Sequence, residues 1–291
     1  MLVLFFLVSL AHAFYANSKH IYELTPKSFD DVVYKTNHTS VVEFYAPWCG
    51  YCQQFRSHYI KAAKASSDVA QYAAVNCDLP ENKKLCNEYR IEGFPTVLVF
   101  RPPKWTGKVT KENGHSSEIY RGERVASKLT EFVKGRVKNY VKRLNARNVA
   151  GFVAPKDKPR VLLLTSKTSI SPMFKALAID FLGSMEFGYL TVTDEIRSEV
   201  EKYVDVKELP QIVVIDRDGS FHRYEGPTER TAIAEFLGNY GEAEDGETSP
   251  RGAFLKGLKK GLKKGLYKSF RDFKKSRSAK SKSAKNAKDE L

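Results

Sequence analysis

The chain has 291 residues, 42% of them hydrophobic, and 48 Lys+Arg against 34 Asp+Glu give it a formal charge of +14. That length accommodates two domains with extensions. Residues 251–291 alone hold 15 Lys+Arg and 3 Asp+Glu, +12 of the +14, so the rest is nearly neutral and the basicity describes a tail rather than a basic active site.

Residues 1–10 are apolar apart from Ser9, and Ala11-His12-Ala13 supplies an A-x-A cleavage pattern, so residues 1–13 read as a secretory signal peptide and the mature chain begins near Phe14. The run lacks a basic start and is too short to cross a bilayer, which takes about 20 residues, and nothing else in the chain is a membrane-span candidate. Asn37-His38-Thr39 is an N-x-T acceptor in a polar break, which makes Asn37 the glycosylation candidate.

Val41-Val42-Glu43-Phe44-Tyr45 has the β-branched and aromatic content of a buried strand, and Gln53 onward reads as helix. Between them, Ala46-Pro47-Trp48-Cys49-Gly50-Tyr51-Cys52 sets two cysteines three apart, with Cys49 at a helix N-terminus, where free N–H groups and the macrodipole favour a thiolate. Cys52, one turn later, is spaced to attack a mixed disulfide formed on Cys49. The other two cysteines, Cys77 and Cys86, are compatible with a four-thiolate zinc site, with two buried thiols, or with a second disulfide. The spacing favours the disulfide, because a structural zinc site usually presents two close C-x2-C pairs. Glu43 in a buried strand carries a carboxyl whose protonated form burial favours.

The stretch from Glu43 to Cys52, followed about forty residues later by Gly93-Phe94-Pro95-Thr96, resembles the protein disulfide isomerase family, with a catalytic thioredoxin-like domain over 20–142. Within that family the chain is most similar to small fungal members with one catalytic domain. The resemblance implies an α/β fold, Cys49 as nucleophile and Cys52 as resolving thiol. It also implies a cis Pro95 whose preceding backbone at Phe94 offers an edge to an extended substrate, and Glu43 as a proton relay for Cys52. Many relatives pair that glutamate with a lysine on the next core strand; here Ala74 occupies the place. Tyr120-Arg121-Gly122-Glu123-Arg124 resembles the family's Tyr-x-Gly-x-Arg element, which makes Arg124 a mobile cation that lowers the resolving thiol's pKa. Tyr51 stands where the common motif has histidine; a neutral phenol stabilises the nucleophilic thiolate less than an imidazole does, which makes a weaker oxidant. Trp48 and Gly50 complete the substrate-facing rim, Trp48 as a shielding and packing residue.

After a boundary near 142–158, the pattern reads strand 160–165, helix 172–182, strand 188–192, helix 195–204, strand 209–215, strand 220–225 and helix 228–240, with Pro210 ahead of a core strand as Pro95 is. It resembles a second thioredoxin-like unit over 158–240. Without cysteine it cannot carry dithiol chemistry, and the resemblance implies that it helps hold substrate. An acidic linker, 241–250, leads into the tail, where Phe254, Leu258, Leu262, Leu266 and Phe270 recur every four residues beside lysines. That stripe suits an anionic membrane surface or an acidic lumenal chaperone or client, while three glycines leave it disordered until bound; the alternative is a solvated spacer. The chain ends Lys288-Asp289-Glu290-Leu291, the signal read by the retrieval receptor of the endoplasmic reticulum lumen, a compartment where disulfides form and nucleic acid is not a partner. The expected function is thiol–disulfide exchange on unfolded secretory proteins with cysteines. It needs no metal or resident cofactor, since glutathione or partner thiols exchange with the dithiol itself. The competing reading is a chaperone or adaptor that holds clients through the second unit and the tail.

Overall fold

The computed structural model describes residues 14–15, 18–107 and 114–241. The signal peptide expected over 1–13, nearly all of the acidic linker, and the basic tail with its terminal Lys288-Asp289-Glu290-Leu291 lie outside the described residues. The first unit runs β1 (Ile21–Glu23), α1 (Pro26–Phe29) continued by a π-helical turn over Asp30–Tyr34, β2 (Thr39–Tyr45), α2 (Gly50–Ser66), β3 (Ala70–Asn76), α3 (Lys83–Glu88), β4 (Thr96–Arg101), β5 (Ser116–Ile119) and α4 (Ala126–Lys134). Its sheet has the order β1-β3-β2-β4-β5, with β1, β3 and β2 parallel and β4 antiparallel to both neighbours.

All seven residues of β2 are buried, as expected for the central strand of a sheet covered on both faces. Every second side chain enters one of two cores. Val41 and Tyr45 pack with Phe55, Tyr59, Leu129 and Val133 on one side; Val42 and Phe44 pack with Phe29, Val75, Leu85 and Phe100 on the other. Helix α2 covers the first core with Cys52, Phe55, Tyr59, Ala62, Ala63 and Ser66, a spacing of three and four that lines one face of the helix.

The second unit repeats this plan. It comprises β6 (Val141–Leu144), α5 (Val149–Val153), β7 (Arg160–Thr165), α6 (Pro172–Asp180), β8 (Glu186–Thr191), α7 (Asp194–Glu201), β9 (Gln211–Ile215), β10 (Phe221–Arg223) and α8 (Arg230–Leu237). Its order, β10-β9-β7-β8-β6, is the first sheet's order read element for element, with β6 lying parallel to β8 as β1 lies parallel to β3. The boundary expected over 142–158 is therefore corrected: the second unit takes in β6 and α5 and begins at Val141. A four-residue edge strand buried only at its two ends carries too few apolar residues to announce itself in sequence.

The two units share a core. Val69, Val137, Ala176, Ile179 and Leu182 cluster with Trp105, Tyr140 and Met173 between them. Beside that cluster Asp180, at the end of α6, meets His38 Nε2 at 3.0 Å from the first unit and accepts from Arg230 Nη2 at 2.6 Å on each carboxylate oxygen. Asp180 and His38 are buried, and the Arg230 guanidinium compensates the Asp180 carboxylate where water cannot.

Candidate active site

Cys49 is the N-cap of α2. Its backbone is extended, φ −74° and ψ 116°, and its Sγ accepts the N–H of Cys52 at 3.3 Å. A sulfur thus takes the place usually held by a serine or aspartate oxygen, among the free donors at the positive end of a 17-residue helix. Both Cys49 and Cys52 are free thiols. Cys49 keeps 9% of its surface open and Cys52 keeps none, so an incoming sulfur reaches Cys49 first.

The Phe94–Pro95 peptide is cis, and the Phe94 carbonyl accepts from the Cys49 thiol at 3.6 Å. Trp48 and Tyr51 are each 67% exposed, unusual for large aromatic side chains, and they flank the thiol. The Trp48 indole N–H donates to Asp78 Oδ1 at 3.0 Å, and its ring meets Phe94 edge-on at 6.1 Å. A Cβ at Gly50 would meet nothing within 4 Å, so the fold leaves open space beside the dithiol. The result is an exposed apolar rim around one accessible sulfur.

Arg124 lies across this mouth, its guanidinium 5.8 Å from the Tyr51 ring centroid. The turn that carries it closes when Tyr120 donates its O–H to the Glu123 carbonyl at 2.6 Å. A Cβ on Gly122 would come within 2.7 Å of the Tyr120 hydroxyl, which is why the turn needs glycine.

Glu43 sits beneath, fully buried on the central strand and in register with Ala74 of β3. Burial pushes its carboxyl up to about 8; the Tyr15 hydroxyl, which donates to Oε2, and the Arg124 charge pull the other way. Its Oε1 has no hydrogen-bond partner among the described residues. Burial likewise pushes the Cys52 thiol up to about 12, with the bond to Cys49 and the Glu43 charge adding to the effect. The carboxyl therefore exchanges its proton nearer neutrality than the buried thiol does.

The thioredoxin family model matches residues 20–134. Over 255 residues, 78% of this chain and 80% of the relative, the sequence is 39% identical to protein disulfide-isomerase MPD1 of Saccharomyces cerevisiae. The chain belongs to the protein disulfide isomerase family. It is also 38% identical over 140 residues to a protein disulfide-isomerase A6 homolog of Drosophila melanogaster, covering 48% of this chain and 30% of that protein. To protein disulfide isomerase-like 2-3 of Oryza sativa it is 28% identical over 260 residues, covering 77% of this chain and 55% of that one. With the Cys49–Cys52 pair, this makes it a thiol–disulfide oxidoreductase.

In this isomerase Cys77 and Cys86 are joined, their Cα atoms 6.0 Å apart. The four-thiolate zinc alternative is therefore corrected: two of its four sulfurs are bonded to each other. The bridge ties the end of β3 to α3 next to Asp78, the residue that holds Trp48. Asn37, the glycosylation candidate, is 2% exposed in the folded chain. The sequence reading missed Tyr15, which has no periodic context in the N-terminal segment, and the Asp180 contacts, whose members are 142 and 50 residues from their partner.

In the second unit the same architecture is present without the sulfur. Where Cys49 caps α2, Ser171 caps α6, its side chain accepting the Phe174 N–H. Leu209–Pro210 is cis, and Tyr224 donates to the Pro227 carbonyl at 2.7 Å over Gly226, the turn that Tyr120 and Gly122 make in the first unit.

Proposed function

We propose that this isomerase acts in the endoplasmic reticulum lumen, where it forms, rearranges or reduces disulfides of unfolded secretory proteins that bear cysteines. The observation that carries the chemistry is the stack of Cys49 at the helix cap, the Phe94 carbonyl beside it, and the fully buried Glu43 behind Cys52. In reduction, the Cys49 thiolate attacks one sulfur of a client disulfide; that S–S bond breaks and the client's other sulfur leaves as thiolate. Cys52 then passes its proton to the Glu43 carboxylate and attacks Cys49 Sγ, which expels the second client thiolate and leaves the Cys49–Cys52 disulfide. Two electrons pass from dithiol to client. Run backwards, the same steps form a client disulfide and leave the dithiol; glutathione or a partner thiol resets the pair after client reduction, and glutathione disulfide or a partner disulfide resets it after client oxidation, without any resident cofactor.

Trp48, Tyr51 and Phe94 supply apolar contact for an extended client, and the backbone at Phe94 its edge. Arg124 acts as a cation at the mouth that favours the ionised forms behind it. The lumenal location is supported by the signal-peptide pattern over 1–13, the terminal Lys288-Asp289-Glu290-Leu291 and a bonded Cys77–Cys86 pair, which suits an oxidising compartment. The retrieval receptor is then one partner. The basic tail gives a second contact, to an acidic lumenal chaperone or an anionic membrane surface.

The test is oxidative refolding of a reduced, cysteine-bearing protein in a glutathione buffer. The wild type is expected to accelerate recovery of native disulfides, and a C49A/C52A variant is expected to lose the effect. If the double variant still accelerates refolding or fully suppresses aggregation, the chaperone reading takes over. Microscopy of the full chain with and without its last four residues tests residence: secretion of the truncated chain is expected, and unchanged location would refute retrieval by that signal.

A further inference from the structure

We propose that Tyr15 is a positioning residue for the dithiol chemistry: its phenol holds Glu43 Oε2 and leaves Oε1 as the oxygen that exchanges a proton with Cys52. The inference rests on the reading of Glu43 as the base.

Tyr15 comes from the segment ahead of β1, yet it is 1% exposed and lies inside the first core. Three contacts anchor it. Its N–H donates to Glu23 Oε1 at 2.7 Å, its ring packs at 5.6 Å from Tyr45 and 5.7 Å from Tyr59, and the preceding Phe14 carbonyl accepts from Arg56 Nε at 2.7 Å. Its hydroxyl is thereby delivered to one oxygen of a carboxyl that has no partner at the other among the described residues.

Among the described residues no other group around Glu43 does this work. From α2, Tyr59 directs its hydroxyl to the carbonyls of Val41 and Ala73, at 3.0 and 2.7 Å, and Cys52 is the thiol to be deprotonated. From β2, Tyr45 donates to Glu23 Oε1 of β1 at 2.9 Å. From β3, the facing residue is Ala74. Helix α4 contributes the apolar Leu129 and Val133, and Arg124 just ahead of it acts through space and is exposed. A neutral donor steadies a carboxylate less than an ammonium ion does, so with Tyr15 in place Glu43 remains a base poised near neutrality. Without it, the ionised form loses that directed hydrogen bond.

The experiment follows 5,5′-dithiobis(2-nitrobenzoate) reacting with the reduced full-length chain by stopped flow. The first thionitrobenzoate reports attack by Cys49, and the second, concentration-independent release reports attack by Cys52. In the wild type the second phase is expected to rise with pH through a midpoint near 8. In Y15F that midpoint is expected to move up by about one pH unit, making the second phase about tenfold slower at pH 7, with the first phase unchanged. Y45F, which removes a neighbouring phenol that donates to Glu23 and not to Glu43, is expected to leave both phases alone. In an E43Q background Y15F is expected to add nothing, whereas a packing role would cost the same in both backgrounds.

An unshifted Y15F midpoint, or an equal loss in both backgrounds, overturns the proposal. If E43Q itself keeps the pH step, it is the Glu43 reading that fails, a result distinct from either. Should Y15F not fold, infrared difference spectra of wild type and E43Q with ring-labelled tyrosine answer instead: a phenol mode that follows the Glu43 titration supports the contact, and one that does not overturns it.

Discussion

Replacing Glu43 by glutamine should make the protein more stable as pH rises, relative to wild type, while disabling the resolving step. Burial lifts the carboxyl from 4.5 to about 8, so between those values the native chain holds a proton that the unfolded chain gives up. The stabilising contribution of the protonated group is complete below about 4.5 and is lost as pH climbs through about 8. Glutamine has no such dependence. The stability difference, E43Q minus wild type, should therefore grow by about 1.4 kcal/mol per pH unit across the window, on the order of 5 kcal/mol in total. Whatever the buried amide costs is a constant offset, so the slope isolates the ionisation. The assay is urea denaturation of the disulfide-oxidised forms from pH 5 to 8, with circular dichroism and tryptophan fluorescence as joint probes. A difference that stays flat with pH would mean Glu43 ionises in the usual carboxylate range, and the desolvation reasoning would be refuted.

Tyr51→His should raise the reduction potential of the Cys49–Cys52 pair by roughly 30 mV, the shift that corresponds to about 1.4 kcal/mol of added preference for the thiolate form; equilibration against glutathione reads it, and an unchanged or lower potential would contradict the stated role of the exposed ring. Replacing both Cys77 and Cys86 by serine should lower unfolding free energy by about 2–3 kcal/mol, as expected for closing so short a loop, while DTNB kinetics at Cys49 stay intact; loss of that reactivity in folded protein would mean the bridge shapes the site. Asp180→Ala leaves a half-buried Arg230 without its carboxylate and should destabilise the joined units by about 3 kcal/mol, seen as separate thermal transitions where wild type shows one; a single unshifted transition would dismiss the contact as unimportant.

The dithiol, its strand and its helix were legible because the signals are local: a β-branched and aromatic run, two cysteines one helical turn apart, and an amphipathic pattern that follows. The second unit was legible from Arg160 onward for the same reason, and its cis Leu209–Pro210 recurs at the position that Pro95 occupies in the first unit. What local pattern cannot carry is partnership over distance. Val141–Leu144 becomes a strand only because β8 lies beside it, Asn37 is buried by surroundings its polar neighbours do not reveal, and Tyr15 finds Glu43 across 28 residues of chain. The absent lysine opposite Glu43 was visible as Ala74, but its replacement by a phenol from the N-terminal segment was not.

The most direct test of the central chemistry is to trap the mixed disulfide. A Cys52→Ser variant incubated with a peptide disulfide should accumulate a covalent adduct at Cys49, identified by mass spectrometry, while Cys49→Ser should accumulate none and Cys77–Cys86 should remain bonded in both. Adduct at Cys52 in the Cys49→Ser protein at a comparable rate, or adduct at Cys77 or Cys86, would contradict the assignment of Cys49 as the attacking sulfur.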